Sequence, residues 1–396
     1  MTSVFITGTG CITGSGSTPQ STLAAMYEGT ADPSPFVRHR MDWGKEALVF
    51  AVDDALLERA SGRTEQYGLT ARLGLGAAFQ ALEDAGISPA DLKGKRVGVV
   101  MGTTVGCSMN HIVFYGEYRD PDIALPSMEH IRCVLRSNPA EAIARELAVV
   151  GPAQTVVTAC ASGTDAIGVG LQWIQSGMCD MVIAGGCDGL SRVTLNGFHS
   201  LMVMDSERSK PFDVDRKGLN LGEGSGVLVL ESEQSVTQRN VTPKARLAGY
   251  ATACDAYHLT APHPQGRGLI RAIKQLFAHI ECTPADISFV NVHGTGTKDN
   301  DNVEGYVMNE LLPHVPFFSS KGATGHTLGA AGGIEAALCV HCLNQGRIPP
   351  TTGLTTPDPT IPASPVLEAT NVTGTIALST SLAFGGIASV LAVSHI

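Results

Sequence analysis

Thr155-Val-Val-Thr-Ala-Cys160-Ala-Ser-Gly-Thr-Asp165 is the stretch on which the reading of this chain turns. Its β-branched run, Thr155 to Thr158, predicts a buried strand. The chain breaks at Ala159-Cys160, and Ala161 to Ser176 has helical character that closes at Gly177. Cys160 therefore falls on a strand-to-helix turn, where unpaired N–H groups and the helix dipole favour an anion. In that setting a thiol is expected to ionise near neutral pH and attack a carbonyl. Ala159, Ala161, Ser162 and Gly163 are small enough to let a carbonyl approach the sulfur. A buried structural role is the default for a cysteine. Position and neighbours reverse that default here, provided a base lies elsewhere in the chain.

The whole chain narrows the choices. It has 396 residues, 43% hydrophobic and 16% charged, with 45 glycines, which suits closely packed α/β layers and a large core. A formal net charge of -10 and the absence of a long basic run argue against nucleic-acid binding. No apolar stretch is long enough to span a bilayer, and Met1 leads almost directly into the strand-like Val4-Phe-Ile6 rather than a signal sequence. Ten scattered cysteines fit a reducing compartment. The expectation is a soluble cytoplasmic protein that binds neither nucleic acid nor membrane.

Buried strands alternate with helices along the chain. Strands are expected at Arg96–Gly102, Asp180–Gly186 and Val227–Leu230, with a helix from Tyr67 to Ala85 and another from Pro139 to Leu147. Thr103 to Pro139 reads as irregular. The rhythm restarts after about residue 240, with strands at Ala245–Tyr250, Ile287–Val292, Thr375–Ser379 and Ser389–Val393. Helices fall at Gly268–Ile280, from near Asp301, and at Gly329–Cys342. This pattern predicts βαβ units in a mostly parallel sheet and an internal duplication into halves 1–240 and 241–396. Thr9-Gly10 through Gly14-Ser-Gly16 fits a nucleotide-binding glycine pattern of short-chain dehydrogenases, but no Tyr-x-x-x-Lys accompanies it. Tight turns explain those glycines better.

Two further stretches offer bases. Asn291-Val-His293-Gly-Thr-Gly-Thr297 ends an apolar strand in a histidine on a glycine-rich turn. Ser319-Ser-Lys321-Gly-Ala-Thr-Gly-His326 places a second histidine before a helix that carries Glu335. Strand ends are where open α/β sheets keep ligands.

At these residues the chain resembles the β-ketoacyl-acyl-carrier-protein synthases of the thiolase superfamily, over essentially its full length. Seven stretches carry the likeness in family order: Ala159-Cys-Ala-Ser-Gly163, Lys210-Pro-Phe-Asp213, Gly222-Glu-Gly224, Asp255-Ala-Tyr-His258, His293-Gly-Thr-Gly-Thr297, Lys321 with His326, and Phe384-Gly-Gly386. The resemblance implies a five-layered αβαβα fold of duplicated halves, the first carrying Cys160 and the second His293 and His326. It implies that Cys160 accepts an acyl chain from a carrier-protein thioester. A malonyl thioester then loses carbon dioxide and attacks the acyl-cysteine. His293 and His326 would stabilise the enolate, and the N–H groups of Cys160 and Phe384 would form an oxyanion hole. Lys321 would orient the site, with Glu335 as its acidic partner. Thr295 and Thr297 would bind the pantetheine arm, Phe384 would gate the site, and Val105 and Phe198 would shape the acyl pocket.

His326 in Gly325-His-Thr matches the Cys-His-His pattern of elongating members rather than Cys-His-Asn. No cofactor of its own is implied, since phosphopantetheine arrives on the acyl carrier protein. The implied assembly is a homodimer, or a heterodimer with a ketosynthase-like subunit such as a chain-length factor. Fatty-acid elongation and a specialised polyketide or aryl-polyene pathway both fit. A non-condensing carrier-binding subunit is the alternative of another class, and Cys160 argues against it.

Some positions depart from the family pattern. Ala383 replaces a glycine, Ile387-Ala388 replaces Thr-Asn, Lys298 replaces a common proline, and Asn300 a common glycine. Met202 stands where many relatives carry a basic residue that contacts the carrier, and basic residues near Arg59 and Arg63 are sparse. Cys339-Val-His-Cys342 mimics a metal clamp, but it lies on a predicted apolar helix without a second ligand pair, so no metal site is expected. Asp299-Asn-Asp-Asn302 reads as a helix start rather than a calcium loop. His258 and His263 flank a proline-containing loop, where solvated positions are expected.

Overall fold

The computed structural model describes residues 2–38, 46–53, 66–107 and 112–396. Arg59 and Arg63 lie outside the described residues. Ten strands form one sheet: β1 (Val4–Thr13), β2 (Val97–Gly102), β3 (Ala153–Val156), β4 (Met181–Asp188) and β5 (Gly224–Ser232), followed by β6 (Ala245–Cys254), β7 (Ile287–Asn291), β8 (Phe317–Phe318), β9 (Ile376–Ala383) and β10 (Ile387–Ser394). Their order is β8-β7-β9-β10-β6-β1-β5-β4-β2-β3. Numbered within its own half, each set of five reads third, second, fourth, fifth, first from its outer edge inward. The halves meet where β1 pairs antiparallel with β6, through Phe5 opposite Arg246 and Ile6 opposite Ala245.

The sheet is mixed rather than mostly parallel. β5 runs antiparallel to both β1 and β4, and β10 antiparallel to both β9 and β6. Only the outer strands of each half pair in parallel. Alternation of strand and helix patterns does not report these reversals: β9 turns directly into β10 without a crossover helix, while β4 and β5 are separated by the helix Arg192–Ser200 and still run antiparallel.

Helices complete five layers. α1 (Leu69–Asp84) and α2 (Pro139–Glu146) cover the outer face of the first half, and α4 (Arg267–Ile280), with α5 (Lys298–Leu311) against it, covers that of the second. Between the halves lie α3 (Ser162–Gln175) and α6 (Ala331–Gln345), each touching strands of both. A helix packed on two sides is buried almost all round, which is why α6 opens Ala331-Gly-Gly-Ile-Glu-Ala-Ala and is largely apolar around its circumference, with Glu335 the buried exception. Small residues let these elements approach. A Cβ on Gly163 would fall 2.8 Å from the Gly329 carbonyl oxygen. The stacking is the αβαβα arrangement of thiolase-like proteins.

Three local expectations change. The glycine-rich N-terminus lies largely within β1 rather than in a loop. A Cβ on Gly8 or Gly10 would sit 2.0 Å from the Ala81 or Ala77 carbonyl oxygen of α1, so close helix packing accounts for both glycines. The described residues of Thr103–Pro139 contain two helices, Ile112–Arg119 and Met128–Arg136, and the second buries none of its residues. The Cys160 strand begins and ends two residues earlier than expected, at Ala153–Val156, and is not buried: Ala153 and Gln154 are exposed, because β3 is the outer edge of its half.

Candidate active site

Cys160 sits between β3 and α3, after Ala159, which adopts a left-handed φ of 50°. Ser162 fixes this turn by accepting from Thr158 N at 2.9 Å and donating to Ala159 O at 2.5 Å and to Thr103 O at 3.1 Å. His326 follows Gly325, whose φ of 67° suits glycine. It is held on both sides by backbone bonds, His326 N to Asn220 O at 2.8 Å and Gly222 N to His326 O at 3.0 Å. His293 follows the end of β7. Glu304 of α5 accepts from His293 N at 2.7 Å and from Gly294 N at 2.6 Å, a carboxylate clamp on the turn.

These elements bring the reactive groups together. His326 Nε2 lies 3.1 Å from Cys160 Sγ. The two imidazoles meet edge to face, with centroids 5.1 Å apart. Lys321 Nζ lies 3.2 Å from His293 Nδ1 and 2.5 Å from Glu335 Oε1. An ammonium only donates, so Nδ1 of His293 accepts, and Nε2 carries the ring proton toward the cavity. His326 Nδ1 is buried with no hydrogen-bond partner among the described residues, which leaves its tautomer unpinned and Nε2 able to accept from the thiol. The backbone N–H groups of Cys160 and Phe384 both favour the thiolate form of the Cys160 sulfur.

Burial sets the charges. The Cys160 thiol is pushed up to about 12 by loss of water, against the opposing pull of the Lys321 cation. This corrects the expectation of ionisation near neutral pH. A helix terminus contributes at most about 2 kcal/mol, and the desolvated setting outweighs it. The resting group is a thiol with an acceptor nitrogen beside it. Both histidines are held well below their usual range, by burial first and by Lys321 second, and are neutral. Cys160, His293 and His326 also present three potential metal ligands within 4.8 Å of one another. A cation there would face the Lys321 ammonium across His293, which opposes it.

A cavity of about 260 Å³ opens on this cluster. Its walls include Cys160, both histidines, Thr295, Thr297, Phe198 and Phe384. The Thr295 and Thr297 hydroxyls are 2.9 Å apart. The Phe384 ring stacks on Phe198 at 5.7 Å, and Phe198 meets His326 edge-on at 6.3 Å. Ile387 and Ala388 add apolar wall where relatives carry polar side chains. Val105 is half-buried and is not among the cavity's lining residues. The loop carrying His258 and His263 forms the rim through Thr260 and Pro262.

Other quoted motifs are braces rather than reactants. Asp213 accepts from Thr355 N and Thr356 N, each at 2.8 Å, and Glu223 from Val52 N and Leu190 N, each at 2.9 Å. Cys339 and Cys342 are fully buried in α6, while His341 turns to the Thr9 hydroxyl at 2.9 Å. The sequence reading missed Glu304 and Asp188. Asp188 is fully buried, accepts from Thr103, Thr104 and Gly329, and is pushed up to about 6 by burial. A lone carboxylate ending the apolar run of β4 was its only signal.

A five-layered α/β protein with a buried cysteine facing two neutral histidines defines a thiolase-type condensing enzyme. The family model "Beta-ketoacyl synthase, N-terminal domain" matches residues 1–235, and "Beta-ketoacyl synthase, C-terminal domain" matches residues 244–355. The chain belongs to the beta-ketoacyl synthase family. It is 32% identical to 3-oxoacyl-[acyl-carrier-protein] synthase 2 of Synechocystis sp., over 97% of this chain and 95% of that protein. It is 33% identical to the tetracenomycin polyketide synthase ketoacyl synthase alpha subunit of Streptomyces glaucescens, over 74% and 73%. Among solved structures, the ishigamide ketosynthase/chain length factor superposes with a TM-score of 0.92 at 30% identity, covering 100% of this chain and 99% of that one.

Proposed function

We propose that this protein joins an acyl group to a malonyl unit by decarboxylating Claisen condensation, both delivered as thioesters of an acyl carrier protein. The observation that carries the reading is the contact between Cys160 Sγ and His326 Nε2, in a cavity where His293 offers a second, Lys321-oriented N–H. His326 takes the thiol proton as sulfur attacks the acyl thioester, and returns it to the departing pantetheine thiolate. The oxyanion of that step lies between the N–H groups of Cys160 and Phe384. The malonyl thioester oxygen then faces both imidazoles. Loss of carbon dioxide leaves an enolate stabilised by the Nε2–H of His293 and by His326 in its Nε2–H tautomer, which its Nδ1, unpartnered among the described residues, allows. The enolate carbon attacks the acyl-cysteine, and the departing Cys160 thiolate takes up a proton from water to restore the resting thiol. Thr295 and Thr297 hold the pantetheine arm, while Phe384 and Phe198 close over the chain. The reaction needs no prosthetic group beyond the phosphopantetheine of the substrate.

The exposed edge of β3, with Val157 at 62% exposure, supports assembly with a second ketosynthase-like chain. The likeness to a ketosynthase/chain length factor structure, together with the apolar Ile387-Ala388 wall, favours a heterodimeric, specialised chain-elongation role. Ten free cysteines and the absence of a helix long and apolar enough to cross a membrane, among the described residues, support a cytoplasmic setting. The test is mass spectrometry of protein incubated with malonyl-carrier protein and a panel of acyl-carrier proteins. A 3-ketoacyl product that Cys160→Ala abolishes is the expected result. No acylation of Cys160 and no carbon dioxide release from folded protein would refute the assignment.

A further inference from the structure

The mouth of the cavity must receive a carrier protein, and Met202 stands where many relatives carry the basic residue that contacts it. Met202, beside the lining residues Leu201 and Val203, is 88% exposed and apolar. Arg208 pairs with Asp32, and Lys210 and Lys217 both pair with Glu207.

Helix α4 is different. Its sequence, Arg267-Gly-Leu-Ile-Arg-Ala-Ile-Lys-Gln-Leu-Phe-Ala-His-Ile280, holds three permanent cations and no carboxylate in a chain of net charge -10. Arg267, Arg271 and Lys274 fall at intervals of four and three, so they share one face. All three are exposed, and among the described residues none is within ion-pairing distance of a carboxylate. Arg267 reaches only the neutral Gln265 oxygen, at 3.5 Å. Asp255, near the start of the helix, is committed to Tyr257 N and His263 N. Glu281 lies beyond the C-terminal end.

The opposite side of the same helix belongs to the catalytic cavity. Gly266 and Leu269 line it, so the basic face begins at the mouth. Between its cations runs a shallow open depression floored by Ile270 and Ala278, an apolar strip bordered by positive charge.

We infer that the outward face of α4, Arg267-Arg271-Lys274, is the docking surface for the acidic acyl carrier protein that feeds Cys160. The inference rests on the condensing function proposed above. Carrier proteins are acidic, and a basic strip at the mouth of a negatively charged molecule steers such a partner to the one place where its prosthetic arm enters. Ile270 and Ala278 supply the apolar contact that holds it there.

The test uses the full chain and a triple charge reversal, Arg267→Glu/Arg271→Glu/Lys274→Glu. Two quantities are measured: the Kd for malonylated acyl carrier protein at two salt concentrations, and the rate at which a small acyl thioester without a protein acylates Cys160. The expected result is a Kd at least tenfold weaker with the salt dependence flattened, and small-thioester acylation unchanged. Unchanged carrier affinity alongside normal acylation would overturn the docking surface and leave the condensing function standing. A wild-type protein that neither binds carrier nor becomes acylated would overturn both. Should the triple variant fold poorly, Arg271→Glu alone, which no contact in the core requires, keeps the comparison, with a smaller weakening expected in the same direction.

Discussion

The two halves share a strand order and differ at their outer edges. β8, the third strand of the second half, is fully buried. Val366 N donates to Phe317 O at 2.9 Å, and Thr351 N to Val366 O at 3.0 Å, so the chain leaving α6 folds back over that edge. The corresponding β3 of the first half has no such cover among the described residues, and beyond it Val157 is 62% exposed. On the same half, Met128 and Leu135 are 57% and 72% exposed on a helix that buries nothing. One duplicated architecture is closed by its own chain at one end and left open at the other. The chemistry divides along the same line. The open half supplies the nucleophile, and the closed half supplies the two histidines and the buried Lys321.

The largest effect expected is on that division. Cys160→Ala should lower condensation by about a thousandfold or more, while carbon dioxide release from malonyl-carrier protein continues. Equal loss of both, measured by product mass and trapped gas, would show that the halves do not divide the work. His293→Ala should do the converse, slowing decarboxylation by about a hundredfold and leaving alkylation of Cys160 by iodoacetamide unchanged. Val157→Lys sharpens the structural side of the comparison. It should weaken self-association or pairing with a homologous subunit by about tenfold, near 1.4 kcal/mol, with the thermal transition of the monomer preserved. Sedimentation velocity reads this directly, and an unaltered distribution would place the interface elsewhere.

The smallest effect concerns the thiol. Because its pKa is raised to about 12, the thiolate fraction grows with pH throughout the accessible range. Alkylation of resting Cys160 should therefore climb from pH 7 to 10 without a plateau. Lys321 pulls that pKa down, so Lys321→Ala should slow alkylation at a given pH by about threefold. A plateau near pH 7 would mean that the resting sulfur is already ionised.

Much of the site could be read in advance, because its residues sit at strand ends with small or glycine neighbours, a pattern written locally. Cys160, His293, Lys321, His326 and Glu335, distant in sequence, lie in one buried cluster. Val105, in the loop after β2, is not among the residues lining the described cavity. Glu304 and Asp188 escaped notice. A carboxylate in a helix or at a strand end looks ordinary until the fold shows which N–H groups it satisfies.

By itself the sequence determined most of the strands and helices, though not the two helices within Thr103–Pro139, that the scheme occurs twice, and which side chains can do chemistry. Short-range periodicity and turn composition carry that information. The tertiary structure alone decided that the sheet is mixed, that β3 is an exposed edge, and that the thiol rests protonated beside a neutral histidine. Burial and electrostatic fields are sums over residues far apart in the chain. They exist only once α3 and α6 have been packed between the two halves.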